Sequence, residues 1–235
     1  MKTIKVDYNL QNLTQSPEAH LSDLFVLLYS IFLIEKGGAT PSRYALNKLF
    51  PYIFQKLEEQ GELEKTIVFN LPFYKMKGGH FNKSLCESYL RKLENADLLR
   101  EKSGASYILT TQGKNLIEEF AKNERTKSVD KKFEQLVDEF VIKFLRNKNY
   151  NEVFTVLNSY SHTTLVNDRG KKVRVDDLEI NDLKAISYNS KYFKKGKRSS
   201  IVPGEYLTLL AHKLREKIKV SKEAKEIVDS IFLAA

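Results

Sequence analysis

The stretch that decides the fold runs FNKSLCESYLRKLENADLLREKSGASYILTTQGKNL, from Phe81 to Leu116. Ser84 followed three residues later by Glu87 is a capping box, which predicts a helix that begins near Leu85. Apolar residues then recur at helical spacing and should face a core: Leu85, Tyr89, Leu93 and Ala96. The stretch therefore begins with an amphipathic helix.

A hairpin and a further helix are expected after this helix. Asp97-Leu98-Leu99 leads into a short apolar strand, Ser103-Gly104 is typical of a hairpin turn, and residues 106–109 form the returning strand. Thr110 or Thr111 should cap the next helix. The apolar residues inside that helix are Leu116, Ile117 and Phe120.

This order resembles the second half of a winged helix-turn-helix domain, as in the MarR-like and PadR-like regulator families. The resemblance rests on the leucine-rich helix, the Asn-Ala-Asp-Leu-Leu exit at 95–99, a basic wing, and the pattern Tyr107-x-Leu109-Thr110-x-x-Gly113-x-x-Leu116. Residues 73–82 are more loosely similar to an aromatic, glycine-containing loop that precedes the equivalent helix in YwgA-type and Panacea-domain proteins. The resemblance implies a winged helix-turn-helix domain over residues 21–125.

Two helices are expected before this stretch. The first should begin at Ser16-Pro17-Glu18, be buried over residues 21–35 because that segment is strongly apolar, and end at Gly37-Gly38. Thr40-Pro41-Ser42 should open the second helix, which runs to about residue 59 with a kink or break at its internal proline, Pro51. The inward residues of the second helix should be Tyr44, Leu46, Leu49, Tyr52, Ile53 and Leu57.

The fold class is expected to be mainly α with small β-hairpins (α+β). Residues 121–128 are charged and mark a boundary, after which residues 126–235 should form a helical C-terminal domain with a basic hairpin and loop. Its expected elements are a helix over 129–146 that buries Phe133, Leu136, Val137, Phe140, Val141 and Phe144, a helix over 151–160, a hairpin over 163–175, a weak helix over 177–188, a helix over 203–220 and a last helix from Ser221. Residues 1–20 should form an N-terminal arm or strand, with residues 1–10 as either a short strand or an extended arm, and another strand is expected at 66–71.

Composition excludes several classes of protein. The longest apolar run, residues 24–34, is too short for a membrane span, and the first residues lack the apolar centre of a signal peptide. The single cysteine, Cys86, permits no intramolecular disulfide, which fits a reducing cytoplasm. The formal net charge of +9 favours a polyanion as partner.

The capped helix and the basic wing form the first candidate surface for double-stranded DNA. An α-helix fits the major groove, and a basic wing can reach phosphate or the minor groove. The alternative is a protein-interaction scaffold on which these residues are solvated charges. The expected DNA contacts are Lys75, Lys77, His80, Asn82, Lys83, Ser84, Ser88, Arg91, Lys92, Arg100 and Lys102.

A second candidate surface lies in the C-terminal half. Basic residues are interleaved there with Tyr192 and Phe193, a composition that suits phosphate contact and base stacking, although a mobile surface loop would have the same composition. The basic residues of this surface are Arg169, Lys171, Lys172, Arg174, Lys191, Lys194, Lys195, Lys197 and Arg198.

The chain carries no motif for catalysis or for a cofactor. Its four histidines are far apart, and it has no P-loop, GxGxxG or HExxH sequence. We therefore expect a non-catalytic, cytoplasmic DNA-binding protein without metal or cofactor, either a transcriptional regulator or a DNA-engaging component of a phage, plasmid or defence system. The alternatives are an antitoxin-like or adaptor module that binds a protein, and an RNA-binding or nuclease-associated protein. A homodimer could form through residues 129–146 or 203–235.

Overall fold

Six helices and seven short strands are found in the part of the chain that the computed structural model describes. The described residues are 17–62, 73–76, 79–81, 85–122, 127–147, 161–166, 172–174, 185–186 and 204–217. The helices are α1 (Pro17–Lys36), α2 (Arg43–Glu59), α3 (a π-helical turn, Leu85–Tyr89, continued by Leu90–Asn95), α4 (Thr111–Lys122), α5 (Lys127–Phe140, continued by a π-helical segment, Val141–Arg146) and α6 (Gly204–Lys217). The strands are β1 (Phe73–Met76), β2 (Gly79–Phe81), β3 (Leu99–Glu101), β4 (Tyr107–Leu109), β5 (Ser161–Val166), β6 (Lys172–Arg174) and β7 (Ala185–Ile186). The expectation of a mostly helical fold with small antiparallel sheets is confirmed.

α1 lies at the centre of the core. Residues 21–31 are all buried, because this helix is apolar around its whole circumference instead of along one stripe. The ring centres of Phe25 and Tyr29 lie 4.7 and 5.2 Å from that of Phe120 on α4. α5 and α6 also pack against α1. The described helices on both sides of residue 126 therefore contribute to one continuous hydrophobic core.

α1 ends and α2 begins where the sequence predicts. Gly38 has a φ of +75°, its N–H donates to the Glu35 carbonyl at 2.9 Å, and the Ala39 N–H donates to the Ile34 carbonyl at 3.1 Å. This pair of bonds is a Schellman motif, which requires the left-handed conformation that glycine adopts without strain. Ser42 caps α2 by accepting the Ala45 N–H on its Oγ at 3.1 Å.

The structure differs from two expectations for α2. Of the expected kink or break at Pro51, the break is absent, because α2 continues through Pro51 to Glu59. Pro51 and its neighbours Phe50 and Tyr52 are buried, so core packing offsets the hydrogen bond that a proline removes. Tyr44, expected inside, is 41% exposed, because it lies in the first turn of α2 on the side away from the core.

A hairpin occupies the segment before α3. β1 and β2 are antiparallel, with Tyr74 opposite Phe81, and β7 pairs with the other edge of β1 through Ile186 opposite Phe73. The expected loop at 73–82 is therefore wrong for the described residues, since the aromatic residues there favour a pleated strand. The expected weak helix over 177–188 is wrong at residues 185–186, where pairing with β1 satisfies the backbone N–H and C=O groups.

The other expected elements are confirmed in part. α5 and α6 correspond to the helices predicted over 129–146 and 203–220, and all six predicted apolar residues of α5 are buried. β5 and β6 form the predicted hairpin, with Ser161 opposite Arg174. The predictions for 1–10, 66–71, 151–160 and the last helix from Ser221 lie outside the described residues. In the described part of the chain, no helix combines the length and apolarity needed to cross a membrane.

Candidate nucleic-acid interface

α3 presents one polar stripe to solvent. Its apolar residues are buried as predicted, whereas Arg91 and Asn95 are exposed and Ser88 is half-buried. These three residues are spaced by three and four positions and therefore lie on one face of the helix. We call Ser88, Arg91 and Asn95 the α3 stripe.

Lys92 does not project into solvent together with Arg91. Its side chain is half-buried, and its Nζ lies 5.7 Å from the centre of the Tyr89 ring, within the range of a cation–π contact. Burial lowers the pKa of Lys92. A lysine whose stem lies along an apolar surface in this way is less suited to contact a phosphate than its position in the sequence suggests.

The end of α3 is fixed by a second Schellman motif. The Asp97 N–H donates to the Glu94 carbonyl and the Leu98 N–H donates to the Leu93 carbonyl, both at 2.9 Å. Asp97 has a φ of +56° and takes the position that Gly38 takes after α1. Aspartate tolerates this left-handed conformation better than most residues, so α3 ends sharply without a glycine.

Hydrogen bonds join the start of α4 to the end of α3. Thr110 Oγ1 accepts the Gly113 N–H at 3.1 Å and donates to the Asp97 carbonyl at 2.5 Å. A Cβ on Gly113 would lie 2.2 Å from the Leu98 carbonyl oxygen, so only glycine permits this approach. We call Asp97, Leu98, Thr110 and Gly113 the wing root. The Thr-x-x-Gly part of the sequence pattern is therefore required by the cap at Thr110 and by the close approach of the backbone at Gly113.

Backbone donors on both edges of the β3–β4 hairpin, the wing, are occupied. On the β3 edge, Glu94 Oε1 accepts the Glu101 N–H at 3.2 Å, and on the β4 edge, Glu35 Oε1 accepts the Leu109 N–H at 2.7 Å. The Tyr107 N–H donates to the Pro41 carbonyl at 2.9 Å, and Ser42 forms a bridge with Ser106. Free edge groups would invite an added strand from another chain. The wing is therefore left to contact partners mainly through its side chains.

The tip of the wing is a tight turn. The Ser106 N–H donates to the Ser103 carbonyl at 3.1 Å, and the central residues Gly104 and Ala105 both have a φ of +58°. Positive φ at both central positions is the requirement of a type I′ turn. The centre of the turn thus lies one residue later than the predicted Ser103-Gly104 pair.

Three basic side chains surround the wing. Arg100 and Lys102 are exposed as expected. Arg43, which the sequence reasoning missed, donates from Nε to the Tyr107 hydroxyl at 2.6 Å and lies 3.7 Å from the Glu101 carboxylate. Its place immediately after the helix-capping Ser42 was the only signal in the sequence, and that signal does not indicate proximity to the wing.

The segment that carries α3 and the wing, residues 85–110, has no net formal charge. Four basic residues between 85 and 110 are matched by four acidic ones: Arg91, Lys92, Arg100 and Lys102 against Glu87, Glu94, Asp97 and Glu101. The excess positive charge of the chain therefore lies in other segments. Since affinity for phosphate depends on the number of cations that replace counterions, this surface should attract a polyanion only weakly at long range.

Four of the remaining predicted residues lie on strands that β7 links to one another. Lys75 and His80 are backbone partners in β1 and β2, and β7 pairs with β1 and contacts β5. Lys172 and Arg174 lie on β6, the partner of β5. The other predicted contacts lie outside the described residues: Lys77, Asn82, Lys83, Ser84, Arg169, Lys171, Lys191, Lys194, Lys195, Lys197 and Arg198.

Neither a metal cluster nor a known relative identifies the site. Within the described ranges, no group of three His, Cys, Asp or Glu side chains could hold a metal ion. Comparisons of the chain with protein-family models, curated proteins and solved structures found no significant match.

Proposed function

We propose that the chain is a non-catalytic, cytoplasmic DNA-binding protein in which residues 21–125 form a winged helix-turn-helix unit. The observation that carries this proposal is the wing root, which connects α3 to the wing. Its hydrogen bonds hold the α3 stripe and the exposed Arg100 and Lys102 in one arrangement. A helix that leads directly into a basic hairpin suits simultaneous contact with the major groove and the neighbouring phosphates.

The order of the elements supports the proposal. α1, the bridging residue Ser42, α2, α3, β3 and β4 follow one another, and Ser42 adds a short third segment beside β4. One feature differs from a compact helix-turn-helix, in which three or four residues join the two helices. Here the connection spans residues 60–84 and contains the β1–β2 hairpin, so the proposed unit carries an insertion between α2 and α3.

Binding to duplex DNA over a salt series tests the proposal. Exchange of both Arg100 and Lys102 for Ala should weaken binding about tenfold or more, because two phosphate contacts are lost. The matched control is Lys122→Ala, which removes a lysine that is 77% exposed at the end of α4, and its affinity should be unchanged. Equal losses of affinity in the double variant and in Lys122→Ala, or no loss in either, would show that the wing is not part of the interface.

The salt dependence itself separates the two candidate surfaces. If phosphate contact uses only Arg100 and Lys102, the logarithm of the affinity should fall with the logarithm of the salt concentration with a slope of about −2. A slope of about −6 or steeper would require further cations, and the basic segment 191–198 is the richest source of them.

The charge balance of the α3–wing surface favours one alternative, an antitoxin-like or adaptor module that binds a protein. Surfaces of mixed charge give specificity to protein interfaces through complementary pairs. A folded protein with negligible affinity for duplex DNA, single-stranded DNA and duplex RNA at low salt would favour this alternative. An RNA-binding or nuclease-associated protein would instead lose RNA binding when residues 169–198 are neutralised with the wing intact.

A homodimer through residues 129–146 or 203–235 is part of the proposal. The inward apolar residues of α5 are buried in the core of the same chain, as are Tyr206, Leu210 and Leu214 on α6. A dimer through α5 would therefore use its outward side, where Ile142 is 54% exposed. Light scattering at micromolar concentration measures the mass, and a monomer would contradict this part of the proposal.

A further inference from the structure

We infer that the α3 stripe recognises a guanine and an adenine in duplex DNA, with Arg91 contacting the guanine and Asn95 the adenine. This inference rests on the proposed function and names the bases that the same surface selects.

The geometry of α3 brings Arg91 and Asn95 to one side. Both side chains are exposed, and a spacing of four residues places them on the same face about one helical turn apart. Four residues correspond to about 6 Å along the helix axis, whereas successive base pairs of B-DNA are about 3.4 Å apart. The two side chains therefore match bases one or two steps apart along the groove.

The chemistry of the two side chains suits base edges. The guanidinium group of arginine presents parallel N–H donors that fit the O6 and N7 acceptors of guanine. The amide of asparagine presents one acceptor and one donor, which fit the N6 amino group and N7 of adenine. Both are bidentate contacts to base edges in the major groove, and the two side chains suit two different bases.

The surroundings of the stripe direct it away from phosphate. On the wing side, the Glu94 carboxylate is fixed by the Glu101 N–H at 3.2 Å and would repel a phosphate placed there. On the other side, Lys92 is turned onto the Tyr89 ring. A surface without net charge gains little from unspecific phosphate contact, so a stable complex must obtain much of its affinity from hydrogen bonds to bases.

Selection of bound duplexes from a pool of random sequence tests the inference. The wild type should enrich sites with a guanine and an adenine one or two steps apart. Arg91→Ala removes the paired donors, so the guanine preference should fall about tenfold or more. Asn95→Ala should remove the adenine preference to a similar extent and leave the guanine preference in place.

The outcomes separate this inference from the proposed function. Duplex binding with no base preference, or with preferences that neither exchange changes, would overturn the inference and leave the DNA-binding function intact. No duplex binding by the wild type would overturn both. Lys122→Ala is the matched control and should select the same sites as the wild type, and thermal unfolding of each variant confirms that the exposed exchanges leave the fold intact.

Discussion

The wing root and the polar face of α2 differ in where their polar groups lie: the wing root holds a hydroxyl near the surface in hydrogen bonds, whereas α2 buries an ammonium and an amide group. At the wing root, the Thr110 hydroxyl both donates and accepts a hydrogen bond. On α2, Lys48 and Gln55 are 2% and 5% exposed, and we call these two residues the α2 polar face. The Lys48 ammonium lies 5.0 Å from the centre of the Tyr44 ring, and Gln55 Oε1 has no hydrogen-bond partner among the described residues.

The wing root therefore stabilises one backbone arrangement, whereas the α2 polar face contains buried polar groups that cost free energy of folding. A buried polar group stabilises one arrangement when its hydrogen bonds are made and costs free energy when they are not. The wing root therefore fixes α3 and the wing relative to each other, which a surface that reads bases requires. The α2 polar face carries a buried ammonium group whose pKa burial lowers to about 8.

The largest expected effect comes from breaking the wing root with Gly113→Ala. The added Cβ would lie 2.2 Å from the Leu98 carbonyl oxygen, so the backbone of α4 or of Leu98 must move. We expect a loss of about 3 kcal/mol or more in the free energy of unfolding, measured by urea denaturation. Asn115→Ala, at an exposed position two residues further along α4, is the control and should change stability by less than about 0.5 kcal/mol. A small effect of Gly113→Ala would mean that α4 does not approach Leu98 so closely.

Exchange of Lys48 for Met should have the next largest effect, in the opposite direction. The folded-state pKa of about 8 lies below the usual 10.5, so the unfolded chain binds more protons between these values and wild-type stability should rise with pH there. Met keeps the length of the stem and removes the charge, so the variant should be more stable at pH 7 by about 1 to 3 kcal/mol.

Urea denaturation at pH 7 and at pH 10 measures this effect. The difference between Lys48→Met and the wild type should shrink at the higher pH, because the wild-type lysine is then neutral in the folded state. A wild-type stability that does not rise over this range would show that the ammonium group is well stabilised in its site.

The comparison also shows where sequence patterns were sufficient. α1 could be recognised because its apolar residues surround the whole helix, and α3 and α4 because caps and helical spacing are local signals. Tyr44 has the spacing of an inward residue yet is exposed, since the core reaches only part of the first turn of α2. Pro51 predicts a break that tertiary packing overrides.

The candidate site was predictable in position but less so in its contacts. Arg91, Arg100 and Lys102 project into solvent as the pattern indicates. Three features of the site depend on side-chain direction or on contacts between distant segments. Lys92 contacts Tyr89, Glu35 and Glu94 accept backbone N–H groups at the wing edges, and Arg43 donates to Tyr107. Spacing along the chain contains no information about such contacts.

A smaller change in stability is expected from a substitution at the tip of the wing. Ala105 has a φ of +58°, which costs a residue with a Cβ about 1 kcal/mol relative to glycine, partly offset by the greater freedom of glycine in the unfolded chain. Ala105→Gly should therefore stabilise the protein by about 0.5 to 1 kcal/mol in urea denaturation. Ser103→Gly, which adds a glycine in the same turn where no positive φ is found, is the control and should not stabilise it. Equal effects in the two variants would contradict strain at Ala105.

The smallest expected effect tests Glu139 on α5, whose carboxylate is hydrogen-bonded to Tyr52 of α2. Burial alone would raise the pKa of Glu139, but hydrogen bonds from Lys143 at 2.6 Å and from the Tyr52 hydroxyl at 2.7 Å lower it below 4.5. The stabilisation is therefore present above the unfolded pKa and is lost as the pH falls through the folded pKa. Glu139→Gln should cost about 0.5 kcal/mol at pH 7, since the ion pair is partly exposed, and the cost should shrink as the pH falls below 4.5 and the carboxylate is protonated. A cost that does not shrink would assign the effect to packing, whereas its loss would show that the ionised carboxylate carries the stabilisation.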